Sequence, residues 1–200
     1  PDLVPIVISD EWIAKVKANQ PELRTEKLER YQREFDLPKY DAEIITGHKK
    51  FADLFEAATE LCGKPKKVSN WIMVETMRLL KENNMDPEDI RFSPVNLAKL
   101  INLADSGSIT NTVAKEVFER IFKDDIDPEK YVEEKGLKTV NDEGALRETV
   151  QKVLADNPQS VEDYHNGKEK AIGFLVGQTM KAMKGKANPA LVNQILKELL

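Results

Sequence analysis

Five lysines and two glycines near the C-terminus are the residues whose types and spacing suggest chemistry. They are Lys168, Lys170, Gly173, Gly177, Lys181, Lys184 and Lys186, in the run KEKAIGFLVGQTMKAMKGKANPALVNQILKELL over residues 168–200. The chemistry would be charge neutralisation rather than bond making: ammonium groups offset phosphates, and missing side chains let a bulky anion come close to a backbone. At about 100° per residue, Ile172, Leu175, Val176, Thr179 and Met183 gather on one side of a helix predicted from about Lys170 to Lys184. Lys170, Lys181 and Lys184 project to the opposite side, with Gly173 and Gly177 between them. Each glycine in a helix interior costs about 0.8 to 1 kcal/mol relative to alanine, so two of them one turn apart imply an occupant that needs the space. Either a phosphate chain or a neighbouring helix would satisfy that requirement. A partner helix is available in the run Pro189 to Leu200, in which case the lysines are simply a solvated face. The residues alone leave both readings open.

Other reactive residues do not assemble into a site. No phosphate loop, dinucleotide fingerprint, nucleophile elbow or zinc ligand set is present. Asp124 with Asp125 and Glu133 with Glu134 are paired acids, but consecutive residues diverge around a helix, and these lie in a solvent-rich stretch that is a poor place to tune a pKa. His48 beside Lys49 and Lys50, and His165 beside Asn166 and Gly167, read as surface residues; Cys62 reads as a small buried side chain closing a helix. No catalytic residue and no metal site is expected within this chain.

The elements that position the lysines follow from caps and periodicity. Gly185 is expected to end the first C-terminal helix in the left-handed conformation, with Asn188 and Pro189 starting the second. Upstream, Ser9 or Asp10 caps a short helix with Trp12, Ile13 and Val16, broken at Pro21, and Thr25 to Phe35 forms a charged amphipathic helix stopped before Pro38. These two have little apolar face, so residues 1–50 are expected to be an extended and helical arm packed on a neighbouring domain. Phe51 to Leu61 then keeps helical spacing up to Gly63, and Lys64 to Lys67 reads as a basic turn, with Ser69 capping a helix that carries Ile72, Met73, Thr76, Met77 and Leu80. Ser93-Pro94 opens another helix, and Ser108 is expected to cap Ile109 to Phe122. An acidic composition break follows Lys123, with Asp127-Pro128 opening one short helix. Asp142 caps the next helix, Asn157-Pro158 closes it, and Ser160 starts a brief turn. The expected fold class is therefore all-α: an N-terminal arm, a helical bundle domain over residues 51–136, and a small three-helix-type tail domain over residues 137–200.

Composition limits the partners. Forty per cent hydrophobic and 32% charged residues suit a helical globular protein, and no apolar run nears the roughly 20 residues of a membrane span. A net charge of -5 argues against indiscriminate coating of nucleic acid, so any such binding must be a local patch. One cysteine excludes an internal disulfide framework and suits a reducing cytoplasm. The chain starts at Pro1 without a signal-peptide pattern, and the expectation is of a piece cut from something longer.

Four stretches taken together resemble a known family: KAIGFLVGQTMKAMKGKANPALVNQILKELL (residues 170–200), LPKYDAEIIT (Leu37 to Thr46), VSNWIMVE (Val68 to Glu75) and ISDEWIAKVKANQPEL (Ile8 to Leu23). They are similar to the B subunits of the aspartyl/glutamyl-tRNA(Asn/Gln) amidotransferases over essentially the whole chain, and residues from about Phe51 resemble the module that these subunits share with the small YqeY-like proteins. The resemblance implies a complex with A and C subunits in which a glutaminase releases ammonia. The B subunit there uses ATP and Mg²⁺ to activate the misattached amino acid of Glu-tRNA(Gln) or Asp-tRNA(Asn). It also implies that the ATP- and metal-binding catalytic domain lies N-terminal to this segment, leaving the segment inactive by itself and without a cofactor. The tail's basic helix would then meet the folded outer corner of the tRNA, through Lys168, Lys170, Gly173, Gly177, Lys181, Lys184 and Lys186. The alternative expectation is a helical module that docks protein subunits without touching nucleic acid.

Overall fold

The computed structural model describes residues 8–140 and 142–200. Among them there is no strand, and helices account for the architecture, as the periodicity implies. Two separate apolar cores organise the chain, one running from Tyr31 to Leu137 and the other from Leu146 to the C-terminus.

The first helix, α1 (Asp10–Asn19), starts where the Ser9 hydroxyl accepts the Trp12 amide at 3.2 Å. None of its residues is buried, and Trp12 is 57% exposed, with Ile8, Ile13 and Val16 also open. The next two helices, α2 (Arg24–Phe35) and α3 (Lys39–Gly47), behave differently: Tyr31, Leu37, Ala42 and Ile45 are all within the first core. Of the arm expected over residues 1–50, the stretch from α2 onward is thus built into the first core, and the first seven residues lie outside the described ones. Charged composition conceals this, because α2 buries few residues but places Tyr31 against Phe35 and Phe55, with ring centroids 5.6 and 4.8 Å away.

Helix α4 (Lys49–Cys62) packs along α7 (Pro94–Asp105) through the centre of that core. Between them, α5 (Pro65–Asn70) replaces the basic turn expected at Lys64 to Lys67, because Pro65 occupies a first helical turn, where a missing N–H is no loss. Ser69 is accordingly not a cap but a buried residue inside the helix. The chain continues through a π-helical turn, Trp71–Thr76, in which the Thr76 hydroxyl donates to the Trp71 carbonyl at 3.0 Å, into α6 (Met77–Glu82). Helix α8 (Asn111–Asp124) is capped by Thr110 rather than Ser108, the Thr110 hydroxyl accepting the Val113 amide. It carries Phe118 into a cluster with Trp71, Phe92 and Phe122. The short α9 (Pro128–Glu134), opened by Asp127 as expected, closes the unit.

The second core is made by α10 (Glu143–Asp156), α12 (Lys170–Ala182) and α13 (Pro189–Leu199), while α11 (Pro158–His165) lies against α12 and buries none of its residues. This core is the three-helix arrangement expected, with α11 as an additional short helix on its outside. Pro158 both ends one helix and begins the next, so the brief turn predicted at Ser160 is a two-turn helix. Leu146, Val150, Leu175, Val192, Ile195 and Leu196 fill its centre.

Candidate nucleic-acid interface

Helix α12 shows its two-sidedness in burial. Leu175 and Thr179 are completely buried, with Ile172, Val176 and Met180 packed around them, and the Thr179 hydroxyl is satisfied by the Leu175 carbonyl at 2.9 Å. On the other side Lys170, Gly173, Gly177 and Lys181 are exposed. A methyl group added at Gly173 or Gly177 would meet nothing within 4 Å. Helix α13 does pack on α12, but not over these glycines, so the alternative in which the chain's own last helix sits in the Gly-x-x-x-Gly groove is removed.

Seven residues are predicted to act together, and the structure separates them into four settings. Lys170, Gly173, Gly177 and Lys181 share the open face of α12, the two lysines lying about 16 Å apart along its axis at 1.5 Å per residue. Lys184 is exposed, but α12 ends at Ala182 and Lys184 has φ +51°, so the turn and not the helical period sets its place. Lys168 precedes the helix and is paired with Asp163 at 2.8 Å. Lys186 is half-buried and donates to the Gly136 carbonyl at 2.9 Å. Lys170, Lys181 and Lys184 form no ion pair among the described residues, which leaves their charge available to a ligand.

Lys186 is one stitch of a seam that joins the two cores. The Thr110 hydroxyl donates to the Gly185 carbonyl at 2.6 Å, the Val140 amide to the Lys186 carbonyl at 2.8 Å, and Val140 and Ala187 form an isolated parallel bridge. Gly185 closes α12 through its amide on the Met180 carbonyl at 2.8 Å, in the left-handed region at φ +73°. Its Cα faces Thr112 so closely that an added Cβ would lie 3.3 Å from the Thr112 methyl. A Gly185→Val variant should therefore lose roughly 2 kcal/mol of stability, from the left-handed backbone and the displaced threonine. Urea unfolding followed by far-UV circular dichroism measures it, and separation of the curve into two transitions would mark the seam as what couples the cores.

One residue of the open face escapes a reading of the lysines and glycines alone. Phe174 is 48% exposed, at about 40° from Lys170 around the helix and on the lysine side of the axis. Its signal is present in the sequence: it falls outside the arc of Ile172, Leu175, Val176 and Thr179, on the side of the lysines.

The remaining reactive residues have structural partners or none of interest. The Asp125 carboxylate accepts the Ser93 amide at 2.8 Å and the Asn96 side chain at 2.9 Å. Glu133 and Glu134 are exposed, His48 lies 3.7 Å from Glu88 on the surface, His165 stands beside Tyr164, and Cys62 packs against the first core. No group of histidine, cysteine and acidic residues among the described residues could hold a metal ion, and none of their helices is long and apolar enough to cross a membrane.

Residues 53–200 match the model of a family described as the GatB domain. The whole chain is 71% identical to the aspartyl/glutamyl-tRNA(Asn/Gln) amidotransferase B subunit of Agathobacter rectalis, 60% identical to the protein of that name from Lachnoclostridium phytofermentans, and 53% identical to that from Thermoanaerobacter sp. strain X514. In each case the alignment takes in all of this chain and 42% of the relative.

Proposed function

The chain belongs to the GatB domain family, and from that premise we propose that it is the tRNA-gripping, non-catalytic part of the B subunit of an aspartyl/glutamyl-tRNA(Asn/Gln) amidotransferase. The observation that carries this reading is the open face of α12, where Lys170 and Lys181, without ion-pair partners among the described residues, flank two glycines with free space above them. Folded RNA is recognised largely through its shape and backbone, which suits a face that offers charge and room rather than a set of hydrogen-bonding side chains. The chain spans 42% of the length of its relatives, and the ATP- and Mg²⁺-dependent activation of Glu-tRNA(Gln) or Asp-tRNA(Asn) belongs to the remaining portion. Ammonia comes from the glutaminase, the A and C subunits complete the complex, and the setting is the cytoplasm. Within this chain the contribution to the reaction is positional: it holds the body of the tRNA while chemistry proceeds elsewhere.

Protein docking is favoured at a different place. Helix α1 buries none of its residues, although Trp12, Ile13 and Val16 form an apolar stripe, and we assign that stripe to the rest of the longer polypeptide rather than to RNA.

Binding of a tRNA(Gln) transcript by the full chain at several salt concentrations tests the reading. With three phosphates neutralised by Lys170, Lys181 and Lys184, log affinity should fall with log salt at a slope of about -2.7, from roughly -0.9 per contact. A slope near zero would remove the electrostatic account.

A further inference from the structure

We propose that Phe174 is a stacking platform for one unpaired base of the bound RNA, a role that rests on the reading of α12 as an RNA-binding face and adds base contact to it. Lysines alone would explain attachment to phosphates, but they do not explain a half-exposed phenylalanine on a helix whose apolar residues otherwise face inward. A single exposed ring is ordinary on a protein surface; what singles out Phe174 is its place on the same face as Lys170, Lys181 and the two open glycines.

Its neighbours are what a base would require. Lys170 lies one turn before Phe174, and Lys181 two turns after, so a nucleotide seated on the ring would have an available ammonium group on either side along the helix. Gly173 immediately precedes the ring and Gly177 lies one turn beyond it, and apart from the chain neighbours and the helix's own backbone neither position has an atom within 4 Å of where a side chain would begin. A flat base can therefore approach the ring without meeting a side chain at either glycine. The charge selects a polyanion, and the ring distinguishes which polyanion: bases in a continuous duplex are stacked on one another and offer no free face, whereas loops expose faces that stack on aromatic side chains. The occupant is thus an unstacked nucleobase in a loop of a folded RNA, and not an apolar protein helix, for which the flanking lysines would be a poor setting.

The experiment compares Phe174→Ala, Phe174→Leu and Phe174→Trp in the full chain against two probes, a tRNA(Gln) transcript and a fully paired RNA duplex of similar charge. Base stacking lost to alanine should weaken binding of the transcript by about 10- to 100-fold, with leucine equally impaired and tryptophan at least as tight as the parent. The duplex should bind all four proteins alike, and the salt slope should not move. Equal losses on both probes, full affinity with leucine, or no loss with alanine would overturn the stacking role. Retained transcript affinity joined to impaired association with the glutaminase partner would overturn it in favour of a protein-docking ring. Changing Lys170 and Lys181 to alanine in parallel keeps the two claims apart: if lysine loss abolishes transcript binding and Phe174→Ala leaves it intact, the RNA face stands and the platform falls. Unchanged thermal midpoints would show that each variant folds.

Discussion

Changing Lys170, Lys181 and Lys184 together to alanine should weaken binding of a tRNA(Gln) transcript by the full chain roughly 100-fold or more at 0.1 M salt. At that concentration, three phosphate contacts at about 0.9 log units each per decade of salt amount to between two and three orders of magnitude of counterion-release affinity. The loss should shrink as salt rises, and the variant's own slope should approach zero. Its fold should be preserved, since the three lysines are exposed and form no ion pairs among the described residues; within α12 alanine is at least as good a helix former as lysine at 170 and 181, and at the left-handed position 184 alanine and lysine carry the same Cβ strain. The other two lysines provide an internal contrast. Lys186→Ala removes the hydrogen bond to the Gly136 carbonyl, 2.9 Å long, and should affect stability more than affinity. Lys168→Ala breaks a surface pair with Asp163 and should change both by little. Filter binding or fluorescence anisotropy measures the affinities. Equal effects from all five lysines would mean that binding responds to net charge, and the placement of Lys170 and Lys181 on one face would carry no meaning.

Periodicity makes the open face of α12 legible because a helix at 3.6 residues per turn converts spacing directly into direction, and Leu175 and Thr179 are buried where the projection puts them. That conversion ceases to hold where the helix ends. Projecting Lys184 onto the face extends the helix two residues too far, and the run of left-handed backbone at Lys184 and Gly185 replaces a helical direction with a turn. Lys186 misleads for another reason: sequence reports that a lysine is present but not whether its ammonium group is engaged, and here it donates to a carbonyl 50 residues earlier. Proline is the source of ambiguity upstream. Asn157-Pro158 and Lys64-Pro65 look like interruptions, although a proline in a first turn is as much a start as a stop, and both open helices. Caps with an acidic or hydroxyl side chain before proline, such as Ser93 and Asp127, are unambiguous because the capping residue itself marks the direction of the helix.

Replacing Tyr31 with alanine should cost the first core about 4 kcal/mol, within the roughly 3 to 5 usual for deleting a buried aromatic ring. Tyr31 is completely buried among Phe35 and Phe55, and its hydroxyl donates to the Glu56 carboxylate at 2.9 Å. Burial holds the Tyr31 hydroxyl well above its ordinary pKa, with the Glu56 carboxylate adding to the shift, so it stays a neutral donor. Burial also pushes the Glu56 carboxyl up, but the hydrogen bonds from Lys27, Arg30 and Tyr31 outweigh it and keep the group below its usual value. Tyr31→Phe should therefore cost only about 1 kcal/mol, the net worth of one hydrogen bond, because Glu56 keeps Lys27 at 2.8 Å and Arg30 as partners. Trp71, whose ring lies 5.1 Å from that of Phe118, reports unfolding of this core by its fluorescence in urea. The two variants decide how α2 is attached. A helix that merely lies on the domain would lose its own packing with Tyr31→Ala and leave the Trp71 transition where it was. A helix that is part of the core shifts that transition to lower urea, and the depth of the shift follows the ring rather than the hydroxyl.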